Sequence, residues 1–194
     1  EEQVPPRPSA RLRFLMAPLE AFVALLLVGL IGLVLVAVFW RYILSSPITA
    51  ADEIASFLFL WIVMLGAVIA IDRGEHLRLA LVINAVGPRA RALLETTGLV
   101  VIGAFLAALL PSAIEHWMDE FPVTSPALNI STAWRIAGIP IGIGLMLFVL
   151  AVKLWTEAPR RDLLTALVLV AAAIGLLWLL SPVLAGLGKA NILI

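Results

Sequence analysis

Side chains able to do chemistry are few in this sequence, and they sit in three places: Asp52 beside Glu53, Glu75 beside His76, and Glu115, His116, Asp119 and Glu120 close together. Asp52 and Glu53 could in principle form a carboxylate pair for acid–base work. Successive helical residues point about 100° apart, so the two would not converge on one substrate atom. Ser46-Pro47 precedes Thr49, and Asp52 follows three residues later, a capping-box spacing that places both carboxylates at the positive end of a helix dipole. Helix capping is therefore the more economical reading. The group from Glu115 to Glu120 holds one histidine, and a solvated acidic face accounts for it better than a metal site. With no cysteine there is no thiolate nucleophile and no thiolate metal site. Neither a glycine-rich phosphate loop nor a Ser/His/Asp grouping is present.

The elements that carry these residues are apolar to a degree that water does not support. Of 194 residues 63% are hydrophobic and 13% charged, about half the charge of an ordinary soluble domain. Five charge-free runs, Ala21–Trp40, Ile54–Ile71, Thr96–Ile114, Ile136–Val152 and Leu163–Gly188, meet or approach the roughly 20 residues needed to cross a bilayer. Hydrocarbon leaves a backbone no partner but itself, so the runs are expected to be helices. The fold class is then an all-α integral membrane protein with spans near 19–40, 54–71, 94–114 and 135–154 and a fifth at 163–188. Residues 1–16 form an N-terminal segment, 156–162 a linker and 189–194 an outer tail. The first run is longer than the apolar part of a signal peptide and follows a basic tail, so it is expected to be a retained anchor.

Orientation follows from lysine and arginine. Arg7, Arg11, Arg13, Arg73, Arg78, Arg89, Arg91, Lys153, Arg160 and Arg161 fall on one side, against Arg41, Arg135 and Lys189 on the other. The positive-inside bias predicts the N-terminus in the cytoplasm, the C-terminus outside and the segment Pro111–Arg135 on the outer side. His76 and His116 then lie on opposite sides of the membrane and could not share a metal. Trp40, Trp134 and Trp155 fall at span ends, as amphipathic rings do. Residues 75–86 are too short to cross and suit an interfacial helix stopped by Gly87-Pro88. Pro111 and Pro140 each remove a backbone donor and are expected to kink their spans. Gly138 and Gly142 offer a surface for close helix approach. Net charge is zero, with no basic cluster for nucleic acid.

A transporter that holds its own polar cargo usually carries ionisable groups near the bilayer midplane. These runs have none, and their few hydroxyls, such as Ser56, Thr96, Thr97, Ser112 and Thr165, lie mostly toward span ends. Two readings from other classes compete with a supporting role: a self-sufficient small transporter or channel, and an intramembrane enzyme acting on lipids.

Trp40-Arg41-Tyr42, Ser46-Pro47-Ile48-Thr49, Ala51-Asp52-Glu53-Ile54-Ala55, Trp61, Leu65-Gly66-Ala67 and Arg73-Gly74-Glu75-His76-Leu77 form an ordered series. It is followed by Ser125-Pro126-Ala127-Leu128, Ala133-Trp134 and Ile139-Pro140-Ile141-Gly142. Across residues 17–155 this series resembles the small Q-type membrane subunit of tripartite ATP-independent periplasmic (TRAP) transporters. It departs from that pattern at Ala50-Ala51, where a tryptophan often stands, at Leu79-Ala80, where an aspartate is common, and at Asn129, in place of a frequent acidic residue. The resemblance implies a four-span unit with an interfacial helix in the bacterial inner membrane. It also implies a non-catalytic brace for a large M-type subunit that carries sodium and substrate in an elevator-like movement. A soluble binding protein would deliver an organic acid, of C4-dicarboxylate or sialic acid type, to the outer face. No cofactor is implied for this chain, with sodium expected on the M-type partner. Arg41, Tyr42, Pro47, Asp52, Glu53, Glu75 and His76 are then structural motif residues. Trp61, Gly66, Trp134, Gly138, Pro140 and Gly142 are candidates for a helix-packing interface with a partner. The fifth span resembles the connecting helix of fused Q-M chains.

Overall fold

A computed structural model describes residues 10–45, 48–73, 87–157, 163–168 and 170 of the chain. Five helices are named among them: α1 (Ala10–Ile43), α2 (Thr49–Arg73), α3 (Pro88–Asp119), the single turn α4 (Ala133–Ile136) and α5 (Gly138–Glu157). Residues 163–168, at the start of the fifth apolar run, are also helical. The remainder of that run beyond 170, the expected interfacial helix at 75–86, and Pro47, Glu75 and His76 lie outside the described residues.

Four stretches are long and apolar enough to cross a membrane: Met16–Ile43, Thr49–Arg73, Leu93–Asp119 and Ala133–Thr156. This all-helical architecture fits an integral membrane protein of several spans. α1, α2 and α3 overrun their charge-free runs at both ends and α5 does so at its C-terminal end, because a helix that has satisfied its backbone in lipid has no reason to unwind at the first exposed carboxylate. The clearest case is α3, which continues through Pro111, Glu115 and His116 to Asp119. The connection to the next span is therefore 120–132, shorter than the Pro111–Arg135 segment that charge placement alone delimits.

The chain divides into two compact units, one drawn from Glu1–His76 with Leu106–Leu150, the other from Leu77–Phe105 with Ala151–Ile194. In the first, α1 and α2 pack as an antiparallel hairpin. An ion pair closes each end of it, Arg41 to Asp52 at 3.5 Å and Arg73 to Glu20 at 3.1 Å. All four side chains are substantially exposed. Pairs of that kind contribute about 0–1 kcal/mol each in water, so their role is to fix register more than to add stability. Leu65, Val68 and Ile71 of α2 are buried, as are Ile143, Met146, Val149 and Leu150 of α5. By contrast, none of the apolar window of α1 is buried within the chain, and Phe22, Leu25, Val28, Ile31, Leu35 and Phe39 are exposed.

Pro140 acts slightly upstream of itself. It is the third residue of α5, and its missing N–H would have bonded the carbonyl of Ile136. The helix is interrupted there, at Ala137, between α4 and α5.

Candidate functional site

One face of α2 organises the first unit. Glu53, Phe57, Trp61, Met64 and Val68 recur at spacings of four, four, three and four, which puts them on a single stripe. Going down the stripe, each of the first four residues meets or lines the segment that leads into the last span.

Glu53 comes first. Its carboxylate accepts hydrogen bonds from the backbone N–H groups of Ala127 (2.9 Å) and Leu128 (3.0 Å) and from the Ser125 hydroxyl. Charge-assisted bonds to backbone amides are among the stronger kinds, and three on one carboxylate clamp the Ser125–Leu128 turn to the first turn of α2. Sequence spacing assigns both Asp52 and Glu53 to capping; the structure uses them otherwise. Asp52 turns to Arg41 of α1 while Glu53 crosses to the 120–132 connection, in line with the 100° between neighbours. The α2 start is instead closed by the Ala51 N–H donating to the Ile48 carbonyl at 3.0 Å.

The clamped connection is well ordered in itself. Thr124 and Ser131 form an antiparallel bridge, with Ser125 N–H donating to the Ile130 carbonyl at 2.8 Å and Thr132 N–H to the Val123 carbonyl at 2.9 Å. Asn129 holds φ at 57°, a left-handed conformation that asparagine tolerates better than most residues. Here asparagine serves a turn. Thr132 donates to the Glu120 carboxylate, and Ser131 to the Phe121 carbonyl at 3.0 Å. Below the clamp lies a cavity of about 280 Å³, lined in part by Glu53, Phe57, Val123, Leu128 and Arg135.

Trp61 comes next. Its indole N–H donates to the backbone carbonyl of Trp134 at 3.3 Å, in the turn that the break at Ala137 leaves short of helical partners. The ring lies against Gly138, where an added Cβ would meet it at 3.5 Å. One turn on, a Cβ at Gly142 would fall 2.8 Å from Cβ and 2.9 Å from Cε of Met64. The two glycines, both buried, thus admit α2 of the same chain. Pro140 is buried between them. The other candidates behave differently: Gly66 has open space where a Cβ would stand, and Trp134 is 65% exposed. Tyr42 is 78% exposed at the end of α1.

The arrangement holds a turn and two helices in register. The Glu53 carboxylate takes three donors from its own chain. The two segments it joins, Asp52-Glu53 with Trp61 and Ser125–Leu128 with Trp134–Gly142, are those that carry the resemblance noted above. A family profile described as "Tripartite ATP-independent periplasmic transporters, DctQ component" matches residues 30–160. The chain belongs to the DctQ family. Three relatives share this similarity. A protein of Haemophilus influenzae named "Putative TRAP transporter small permease protein" is 30% identical over 113 residues, 57% of this chain and 63% of the relative. The "Sialic acid TRAP transporter small permease protein SiaQ" of Vibrio cholerae is 24% identical over 108 residues, 56% of this chain and 62% of the relative. The "Sialic acid TRAP transporter permease protein SiaT" of Haemophilus influenzae is 24% identical over 124 residues, 63% of this chain and 20% of the relative. The matched region thus spans less than two thirds of each relative. For a DctQ component, four apolar helices fit a multi-pass protein of the bacterial inner membrane.

Proposed function

We propose that this DctQ component is a non-catalytic scaffold in a sodium-coupled importer of organic acids, bracing a large M-type subunit that carries ion and substrate. The observation that carries the reading is the contrast between two surfaces. Inward, the stripe on α2 spends its polar groups on the chain's own backbone, and the charge-free runs leave no ionisable group at mid-span to hold cargo. Outward, α1 presents apolar side chains with none of its apolar window covered by this chain, which suits lipid and a membrane-embedded partner together.

The names of two relatives, each a sialic acid transporter component, support an organic acid as the cargo of the assembly and make sialic acid the first to test. A periplasmic binding protein would deliver it at the end of the unit where the 120–132 connection lies. The lysine and arginine bias supports placing that end outside and the N-terminus inside. Coordination of sodium would belong to the M-type subunit. Co-expression with the large subunit tests the proposal: the two are expected to co-purify in mild detergent, and uptake of the acid is expected to be lost on deleting this chain. Uptake that persists without it would refute the bracing role.

A further inference from the structure

We infer that the connection between α3 and α4, residues 120–132, is seated in the headgroup-to-acyl boundary of the bilayer instead of standing clear in water. From Phe121 to Trp134 the chain carries no charged side chain, although this is the place where a water-facing loop would normally carry several. Asp119, Glu120 and Arg135 bracket the uncharged run.

Much of the segment's polar backbone is also paired within the chain. The N–H groups of Phe121, Val123, Ser125 and Asn129 bond carbonyls within or beside the connection, and those of Ala127 and Leu128 bond Glu53. The Ser125 hydroxyl goes to Glu53, and those of Ser131 and Thr132 go to Glu120 and Phe121. A backbone paired largely within the chain suits a water-poor setting better than an open loop does.

Apart from Thr124 and Asn129, what the segment leaves exposed is apolar. Phe121 is 52% exposed, Val123 47% and Ile130 43%, with Trp134 exposed as well and the Trp117 ring tilted against that of Phe121 at a centroid distance of 5.4 Å. Trp40 and Tyr42 are exposed at the same end, since Arg41 pairs with Asp52 next to the residue that clamps the turn. Aromatic rings gathered at one end of a set of spans mark the bilayer boundary. A protein partner would be recognised through unpaired donors, acceptors or charges, and this surface offers few. Lipid requires none.

The chain lacks cysteine, so single cysteines can be placed in the full-length protein within its native membrane. Ile130→Cys and Val123→Cys probe the boundary, with Asp119→Cys as the exposed reference; the second position serves should one variant fail to accumulate. Reaction with an impermeant maleimide is expected to be several-fold slower at 130 and 123 than at 119. After reconstitution in phosphatidylethanolamine–phosphatidylglycerol vesicles, a bimane at 130 is expected to be quenched more by a nitroxide near the lipid headgroup than by one at the acyl terminus. Reaction at 130 as fast as at 119 would overturn the inference. So would slow reaction without quenching by either lipid, the result a covering protein would give. The test depends on the spans crossing a bilayer and not on what the transporter carries.

Discussion

Adding one methyl group to Gly142 and one to Gly138 should have opposite consequences, although the glycines lie one turn apart on the same buried face. At Gly142 the new Cβ would stand 2.8 Å from Met64 Cβ and 2.9 Å from Met64 Cε. Carbon atoms pack best at about 3.5–4.0 Å, so both contacts are too short by roughly 0.6 Å or more. The Met64 terminus can swing aside, since methionine is flexible, but its Cβ is fixed to the α2 backbone and the helices must separate. Overpacking of this kind costs about 1–3 kcal/mol. Gly→Ala in a helix recovers about 0.5–1 kcal/mol, and because the Cβ contact with Met64 cannot be relieved by rotation the overpacking falls toward the upper part of its range, for a net loss of up to about 2.5 kcal/mol. At Gly138 the new Cβ would meet the Trp61 ring at 3.5 Å, an ordinary contact, so Gly138→Ala is expected to be neutral or slightly stabilising. Reversible unfolding of the two variants in detergent or bicelles separates these cases. Met64→Ala in the Gly142→Ala background removes the Cε contact and leaves the Cβ contact, so rescue should be incomplete. Gly142→Ala as stable as the parent, or Gly138→Ala the more damaging of the two, would refute this account of how α2 and α5 pack.

Three further outcomes follow from the same contacts. Glu53→Gln keeps one acceptor oxygen and Glu53→Ala keeps none, so hydrogen exchange at the Ala127 and Leu128 amides should rise in that order over the parent; unchanged exchange would remove the clamp. Trp61→Phe leaves the Trp134 carbonyl without its indole donor and should cost about 0.5–1.5 kcal/mol in the same unfolding assay, and no loss would mean that the bond contributes nothing. For topology, a cysteine at Asp119 should react with an impermeant reagent from the periplasmic side while one at Gly87 does not; the reverse pattern would invert the chain.

Four long apolar helices are legible in the sequence, but the ends of the helices are not, for a physical reason. A run free of charge marks what lipid can hold, but a helix stops where its backbone loses partners, and α3 keeps them past Glu115 and His116 to Asp119. Glu53 was legible as a first-turn carboxylate and illegible as a clamp. Its partners are mostly backbone amides more than seventy positions away, and amides carry no sequence signal; the only hint was an uncharged Ser125-Pro126-Ala127-Leu128 turn needing something to hold it. Gly138 and Gly142 announce a close approach, which the resemblance assigns to a partner and the structure gives to α2 of the same chain. Trp61 and Met64 are the answer, four and three residues apart from their neighbours on a stripe that begins at Glu53. A kink in the span of Pro140 is legible in the sequence, and the interruption falls at Ala137, beside the Ile136 carbonyl that Pro140 cannot serve.

Uptake measured in proteoliposomes with this chain alone, with the large subunit alone and with both bears most directly on the supporting role. The account predicts sodium-dependent accumulation of the organic acid, in the presence of its binding protein, only when both chains are present. Accumulation by this chain alone would contradict it.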